Sequence, residues 1–384
     1  MSMYLVTKLK PIEKELTLDE IFSADDSFEF NTSPVHDTHD TRTVLVDYLP
    51  PRFYSKFRVT DAVKKLRDFN EQTKELHVED MSTLYHSFTI PKRSGGRRQI
   101  DAPKEELMTA LTNLKTLFEQ FMPLNYHTSA FAYIKGRCVV DVAKRHQKAE
   151  NRWFLKLDFS NFFGSTTKEF VERMFSQIYP FAIIMQSTEG KEELSKALDL
   201  CFLNGGLPQG TPISPLLTNI MMIPIDHDIA NSELFTNWRY TYTRYADDIV
   251  VGNKYAFAGE KKSKVEGVLR EVLKKHGAPF SVNPKKTKYG SSAGKNYILG
   301  VILNKDNQIT LGSDKRKNLK TAIFQMLADY KVGDRWDAAR VQELQGQVAW
   351  FSSVNKEDTE NILKHYGDKM GLSVRDVFKD LLTV

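Results

Sequence analysis

Two β-prone runs, each ending on carboxylates, constrain this chain more than any other feature. The stretch TRYADDIVVG (243–252) sets Asp247 and Asp248 side by side, with Thr241–Thr243 before them and Ile249–Val251 after. Upstream, WFLKLDFSNFF (153–163) opens as an apolar strand and ends on Asp158 amid phenylalanines. Adjacent aspartates repel each other, and removing them from water is costly unless a cation sits with them. An isolated Asp-Asp is ordinarily a solvated turn. Two neighbouring strands that bring such residues to one end make a hard-oxygen site, which suits Mg²⁺ with waters and substrate phosphates as its other ligands. A pair of Mg²⁺ ions held this way can activate an attacking hydroxyl and stabilise the leaving oxygen in phosphoryl transfer. The turn is therefore predicted to hold metal.

The remaining chain divides by pattern. FTIPKRSGGRRQIDAP (88–103) reads as strand, Gly-Gly hairpin turn and strand, with basic residues on the turn. KEELMTALTNLKTLFEQFM (104–122) has apolar residues at helical spacing, as does Val59–His77. A helical stretch covers about 167–203. The Gly and Pro residues of GLPQGTPISPLLTNI (206–220) fix an unusual backbone just before a helix, where Gly210 could press its main chain against a base pair or sugar with Gln209 beside it. A basic helix (Lys261–His276) leads to VNPKKTKYG and a short strand, NYILGVILN. From Lys315 onward the pattern is helical.

These segments, in this order, resemble the motifs of reverse transcriptases: LDFSNFF the first palm motif, GLPQGTPISP the second and YADD the third. IPKRSGGRRQIDAP resembles the fingers hairpin, SAFAYIKGRCVVDVAKRH (129–146) the segment before the first aspartate, and VNPKKTKYG the fourth motif. NYILGVILN resembles the primer grip and LQGQVAWFSSVN (344–355) the start of a helical thumb. The subgroup is similar to bacterial retron, group II intron-like and abortive-infection (phage-defence) enzymes. Retrons would be expected to carry an NAxxH-type motif between the second palm motif and YADD, and a VTG triplet after YADD. The first is absent, and Ile298-Leu299-Gly300 stands in place of the second, so defence-associated relatives stand beside retrons as the implied kin.

The resemblance implies an α+β right-hand polymerase with fingers, an antiparallel-sheet palm carrying helices, and a helical thumb. The expected divisions are an N-terminal extension over 1–80, fingers over 81–152, palm over 153–310 with an insertion around 165–205, and thumb over 311–384. It implies that Asp158 and Asp247 ligate two Mg²⁺ ions (Mn²⁺ as substitute), with Asp248 nearer the periphery and the Phe159 carbonyl completing the shell. Phe163 matches a steric gate against the ribose 2′-hydroxyl. Lys92, with Arg93 as its alternative, and Arg98 match triphosphate-binding positions, where an Arg fork grips phosphate bidentately. Gln209 and Gly210 would sit by the incoming nucleotide, and Lys286 would approach the triphosphate. Tyr245 would pack under the turn and touch the primer strand, and Lys315, Arg316, Lys317 and Lys320 would meet nucleic acid. The implied partners are an RNA template, a structured non-coding RNA among the candidates, a DNA primer or product, dNTPs and a partner effector protein. The end of the chain soon after the thumb-like helices implies no maturase or endonuclease domain.

Other readings are weaker. RNA-dependent RNA polymerases usually show Gly-Asp-Asp and a second aspartate in place of the aromatic gate, and neither is here. A non-catalytic RNA-binding protein would have little reason to keep three costly carboxylates. Untemplated or protein-primed synthesis remains the alternative mode. IDHD (225–228) has a His-Asp look but falls on the helix after the second motif, and His127 and His146 lack the i, i+4 partners of a metal site. The net charge of +5 is concentrated in Lys92–Lys104, Lys261–Lys288 and Lys315–Lys320, and three basic blocks favour a nucleic-acid surface over mere solvated helix faces. Two distant cysteines, Cys138 and Cys201, support no disulfide framework, and no signal-like apolar core or run of about 18 apolar residues occurs. A cytoplasmic, membrane-free protein is predicted.

Overall fold

The structure is a computed structural model; it describes residues 5–8, 43–46, 58–92, 95–121, 126–293 and 297–383. Most of the expected N-terminal extension, together with Arg93, lies outside the described residues. Strands β1 (Leu5–Lys8) and β2 (Thr43–Val46) pair antiparallel. Strands β3 (Tyr85–Pro91) and β4 (Arg97–Pro103) form the predicted basic hairpin, turned by Gly95 and Gly96 at φ 85° and 79°. Both φ values favour residues without a Cβ.

The central sheet contains β5 (Trp153–Asp158), β6 (Thr241–Tyr245), β7 (Asp248–Asn253) and β8 (Lys288–Ser291) in the order β6-β7-β5-β8, antiparallel throughout. Strand β5 is apolar almost end to end because protein covers both its faces: Phe154, Leu155 and Leu157 are all buried. Helices pack against this sheet. In Glu105–Phe121, residues Leu107, Ala110, Leu111, Leu114, Phe118 and Phe121 form one buried stripe at helical spacing. Phe159, Phe162 and Phe280 meet with ring centroids 4.8–5.5 Å apart below the end of β5. Each such buried ring contributes roughly 1.5–3 kcal/mol, so this cluster anchors the chain where it leaves the carboxylates.

Four helices, Ser313–Lys331, Ala338–Val354, Lys356–Met370 and Val374–Leu382, surround a separate core built on Leu319, Ile323, Met326, Leu327 and Phe378. NYILGVILN departs from the single predicted strand. Leu299 and Gly300 take φ 52° and 92°, folding it into strands β9 (Tyr297–Ile298) and β10 (Val301–Leu303), and β11 (Ile309–Thr310) then pairs with β10. Among the described residues, no helix is long and apolar enough to cross a membrane.

Candidate functional site

The register of β5 on β7 puts Asp158 directly opposite Asp248, and β6 pairs Tyr245 with Asp248. Ala246 and Asp247 are therefore the two loop residues of the β6–β7 hairpin, with Ala246 at φ 57°. The Phe159 amide donates to the Asp247 carbonyl at 3.1 Å, stitching the turn to the chain that follows β5. Three carboxylates thus share one end of the sheet.

Like charges placed opposite one another in a sheet are destabilising, and the site shows how they are held. Lys286 donates to both Asp158 carboxylate oxygens at 2.9 Å. It is delivered by the Asn283-Pro284 turn: the Asn283 amide donates to the Asp158 carbonyl at 2.7 Å, and the Asn283 side chain accepts from the Lys285 amide at 3.1 Å. The bond to Asp158 raises the Lys286 pKa. Burial, then the charge of Asp158, raises the Asp247 carboxyl, while Lys286 and Arg98 oppose the rise. Burial within the cleft, then Asp247 and Asp158, push Asp248 up to about 6. The Asp248 side chain keeps an edge open to solvent. Among the described residues, no three His, Cys, Asp or Glu side chains converge tightly enough to hold an ion by themselves. The donor set still fits a hard cation of the kind that takes one or two carboxylates and completes its shell with phosphate and water.

The second-motif loop closes on this centre from two sides. Gly206 lies so near Gly164 that a Cβ would run into the Gly164 carbonyl, and the Leu207 amide donates to the Phe163 carbonyl at 3.0 Å. Phe163 is half-buried, edge-on to Phe162 at 5.6 Å, and so is bolted to both motifs. Gly210 has φ 129°, and a Cβ there would stand 2.8 Å from the Asp101 carbonyl. The Asp101 amide donates to the Gln209 carbonyl at 2.8 Å, joining the loop to the β3–β4 hairpin. Arg98 is exposed on that hairpin, and its charge reaches Asp247. Lys92 sits at the exposed hairpin tip, bonded through its amide to the Gly96 carbonyl.

Tyr245 is half-buried against a cluster that includes Phe154, Val250 and Ile298, beneath the turn. On helix Ser313–Lys331, Lys315 donates to the Gly300 carbonyl at 2.8 Å and Arg316 pairs with Asp358, while Lys317 is exposed and Lys320 half-buried. Asp226 and Asp228 are engaged within the fold: Asp226 pairs with Arg244, and Asp228 pairs with Lys275 and hydrogen-bonds the His276 ring. His146 is fully buried, its Nε2–H donating to the Thr243 hydroxyl while Nδ1 accepts from Asn151, and burial lowers its pKa to about 3.

Two features escape a reading of the sequence. Tyr133 is a largely exposed aromatic at φ 58°; partial burial of its phenol, then the charge of Asp247, raises its pKa. Arg244, just before the YADD turn, is completely buried. Its only sequence signal is a charged residue inside an apolar strand pattern.

The family model for reverse transcriptase (RNA-dependent DNA polymerase) matches residues 90–310. The chain is similar to the retron Ec83 reverse transcriptase of Escherichia coli, 26% identical over 77% of this chain and 90% of that one. It is also similar to the retron Mx162 reverse transcriptase of Myxococcus xanthus, 30% identical over 63% of this chain and about half (51%) of the relative. A structure of apo telomerase from Candida tropicalis aligns over 82% of this chain and 66% of its own, with TM-score 0.43 and 11% identity.

Proposed function

The chain belongs to the reverse transcriptase family, and from that premise we propose that it builds DNA on an RNA template at the Asp158–Asp247–Asp248 centre. Enzymes of this family generally use divalent metal ions; the finer proposal is two Mg²⁺ ions, with Mn²⁺ as substitute, held by Asp158, Asp247, the Phe159 carbonyl and, more peripherally, Asp248. When bound, such ions lower the pKa of the primer 3′-hydroxyl and offset charge on the α-phosphate. The observation that carries the reading is the register of Asp158 against Asp248, with Asp247 in the turn beside them.

The other roles follow from position. Lys286 holds a proton at its ammonium next to Asp158, where a leaving pyrophosphate oxygen would need one. Arg98, over the cleft, and Lys92, on the same hairpin, would grip the triphosphate. Phe163 would bar a 2′-hydroxyl, and the loop at Gln209 and Gly210 would lie along the nascent base pair. We assign fingers to 81–152, palm to 153–310 and thumb to 311–384. The retron relatives support a retron or kindred phage-defence setting, with a structured non-coding RNA as template and an effector protein as further partner. The test is to purify the chain with its nucleic acid and sequence it. RNA-templated DNA extended by wild type, and by no preparation of Asp247→Asn with Asp248→Asn, is expected; random-sequence DNA made without template would overturn templated synthesis.

A further inference from the structure

Arg244 has the largest completely buried side chain among the described residues. Taking a guanidinium out of water costs several kcal/mol, which is recovered only if its donors are all used. All five are. Nε donates to both Asp226 oxygens at 2.9 and 3.0 Å, and Nη2 donates to Asp226 Oδ2 at 2.8 Å and Asn219 Oδ1 at 3.3 Å. Nη1 donates to Asn219 Oδ1 at 3.2 Å and to the Ala246 carbonyl at 3.3 Å. The Tyr242 hydroxyl adds a bond to Asp226 at 2.7 Å, so the carboxylate is fully engaged too.

The bond to Ala246 matters most. The Ala246 carbonyl and the Asp247 amide belong to one rigid peptide plane. Arg244 therefore pins the peptide before Asp247, and the Phe159 amide, bonded to the Asp247 carbonyl, pins the peptide after it. Between two pinned planes the Asp247 Cα has little freedom, and the left-handed φ of 57° at Ala246 is held in place by the same bond. The clamp also reaches outward. Asp226 lies on helix Ile223–Asn231, and Asn219 on helix Ser214–Met221, which begins directly after the second-motif loop. The Asn219 amide donates to the Ala132 carbonyl at 2.7 Å, while Arg244's own backbone bonds Ser129 and Phe131. Arg244 and Asn219 together thus join the catalytic turn, the loop-bearing helix and the segment carrying Tyr133.

We propose that Arg244, held by Asp226 and Asn219, is a positioning residue that sets Asp247 relative to the second-motif loop. The inference rests on the polymerase reading above. A plain core role is separable from it, because apolar residues of similar volume often replace a buried ion pair with no loss of stability.

The experiment uses the full chain with Arg244→Met plus Asp226→Leu, and separately Arg244→Lys, on a primed RNA template. The double variant should melt within about 5 °C of wild type. Its kcat should fall roughly 10²-fold, as small misplacements of reacting groups do. The KM for dNTP should change less than about threefold, because substrate binding is not what the clamp supplies. Arg244→Lys keeps a charge opposite Asp226, but one ammonium cannot span Asp226, Asn219 and Ala246, so its kcat should fall as well. Either variant folded and turning over at the wild-type kcat overturns the proposal, as does a loss confined to KM. Wild type that extends no primer would instead overturn the polymerase reading.

Discussion

Lys286 places its ammonium 2.9 Å from each carboxylate oxygen of Asp158. The pair is lopsided: the Lys286 side chain is 61% exposed, that of Asp158 12%. The carboxylate is therefore fixed in the cleft floor while the ammonium remains open to whatever enters. A polyphosphate arriving there meets a cation already desolvated on one side and free on the other.

Lys286→Gln should lower kcat/KM for nucleotide incorporation by at least about tenfold, equivalent to ~1.4 kcal/mol of transition-state stabilisation. Stability should move little, within about 1 kcal/mol, because a pair with one partner so exposed is worth that much or less. Steady-state kinetics beside a denaturant titration checks both halves. A variant that loses stability in step with activity would mark Lys286 as structural.

Asp247→Asn with Asp248→Asn should abolish incorporation, since it removes the carboxylates that would hold the cations offsetting charge on the triphosphate and its transition state. The same carboxylates burden the metal-free fold, and Asp248 gives the sign. Its folded pKa is raised from 3.8 to about 6, so the folded state binds the extra proton between those values. Its contribution to stability falls as pH rises through that window and stays unfavourable above it. Asp248→Asn should therefore melt higher than wild type at neutral pH in chelator, with the gap closing toward pH ~4. Calorimetry across that range tests it, and a gap that is flat with pH would refute the cause.

RNA binding should weaken steeply with salt, and Lys317 and Lys320 on helix Ser313–Lys331 should carry part of that slope. Lys317→Glu with Lys320→Glu should reduce the log-affinity against log-salt slope by about 0.9 for each duplex phosphate that this helix no longer neutralises. Arg316→Glu should behave differently. Its guanidinium is committed to Asp358 on a neighbouring helix, so reversal there should lower thermal stability first. An unchanged slope for the Lys317 and Lys320 pair would make that helix face merely solvated.

The convergence of Asp158 with Asp247 and Asp248 is legible in the sequence because both strands are short, apolar and carry charge at one end, and few alternatives bury those side chains; their exact register is not. Gly210 reads from its Gly/Pro-rich loop as a backbone that approaches a base pair or sugar; the close neighbour within the fold is the Asp101 carbonyl. The Arg244 clamp is not legible. Asp226 and Asn219 lie 18 and 25 residues away in the chain, and nothing local says they converge on one guanidinium. An arginine beside YADD looks like a surface cation until helices Ser214–Met221 and Ile223–Asn231 are packed against β6. The turn inside NYILGVILN is hidden differently: Leu299 takes a left-handed φ that apolar residues seldom adopt, so strand propensity reads straight through it.

Phe163 should decide which sugar is accepted. Its ring is half-buried, edge-on to Phe162, and its carbonyl takes amides from Leu207 and Thr166 at 3.0 and 3.1 Å. The backbone is thus fixed from both sides, so the ring cannot withdraw from a 2′-hydroxyl by a main-chain shift. Discrimination then arises from a clash, and it disappears when the clashing atoms are removed. Phe163→Ala should raise ribonucleotide relative to deoxynucleotide incorporation by about tenfold or more, a change of ~1.4 kcal/mol, with a modest loss for deoxynucleotides. Truncating a ring that packs on Phe162 should also cost stability, though less than the roughly 3–5 kcal/mol typical of a fully buried phenylalanine, because Phe163 is partly exposed. Matched kcat/KM values for the two sugars on one primer–template provide the measurement. A selectivity ratio unchanged from wild type, in a variant still folded and active, would reduce Phe163 to packing and move sugar choice elsewhere in the cleft.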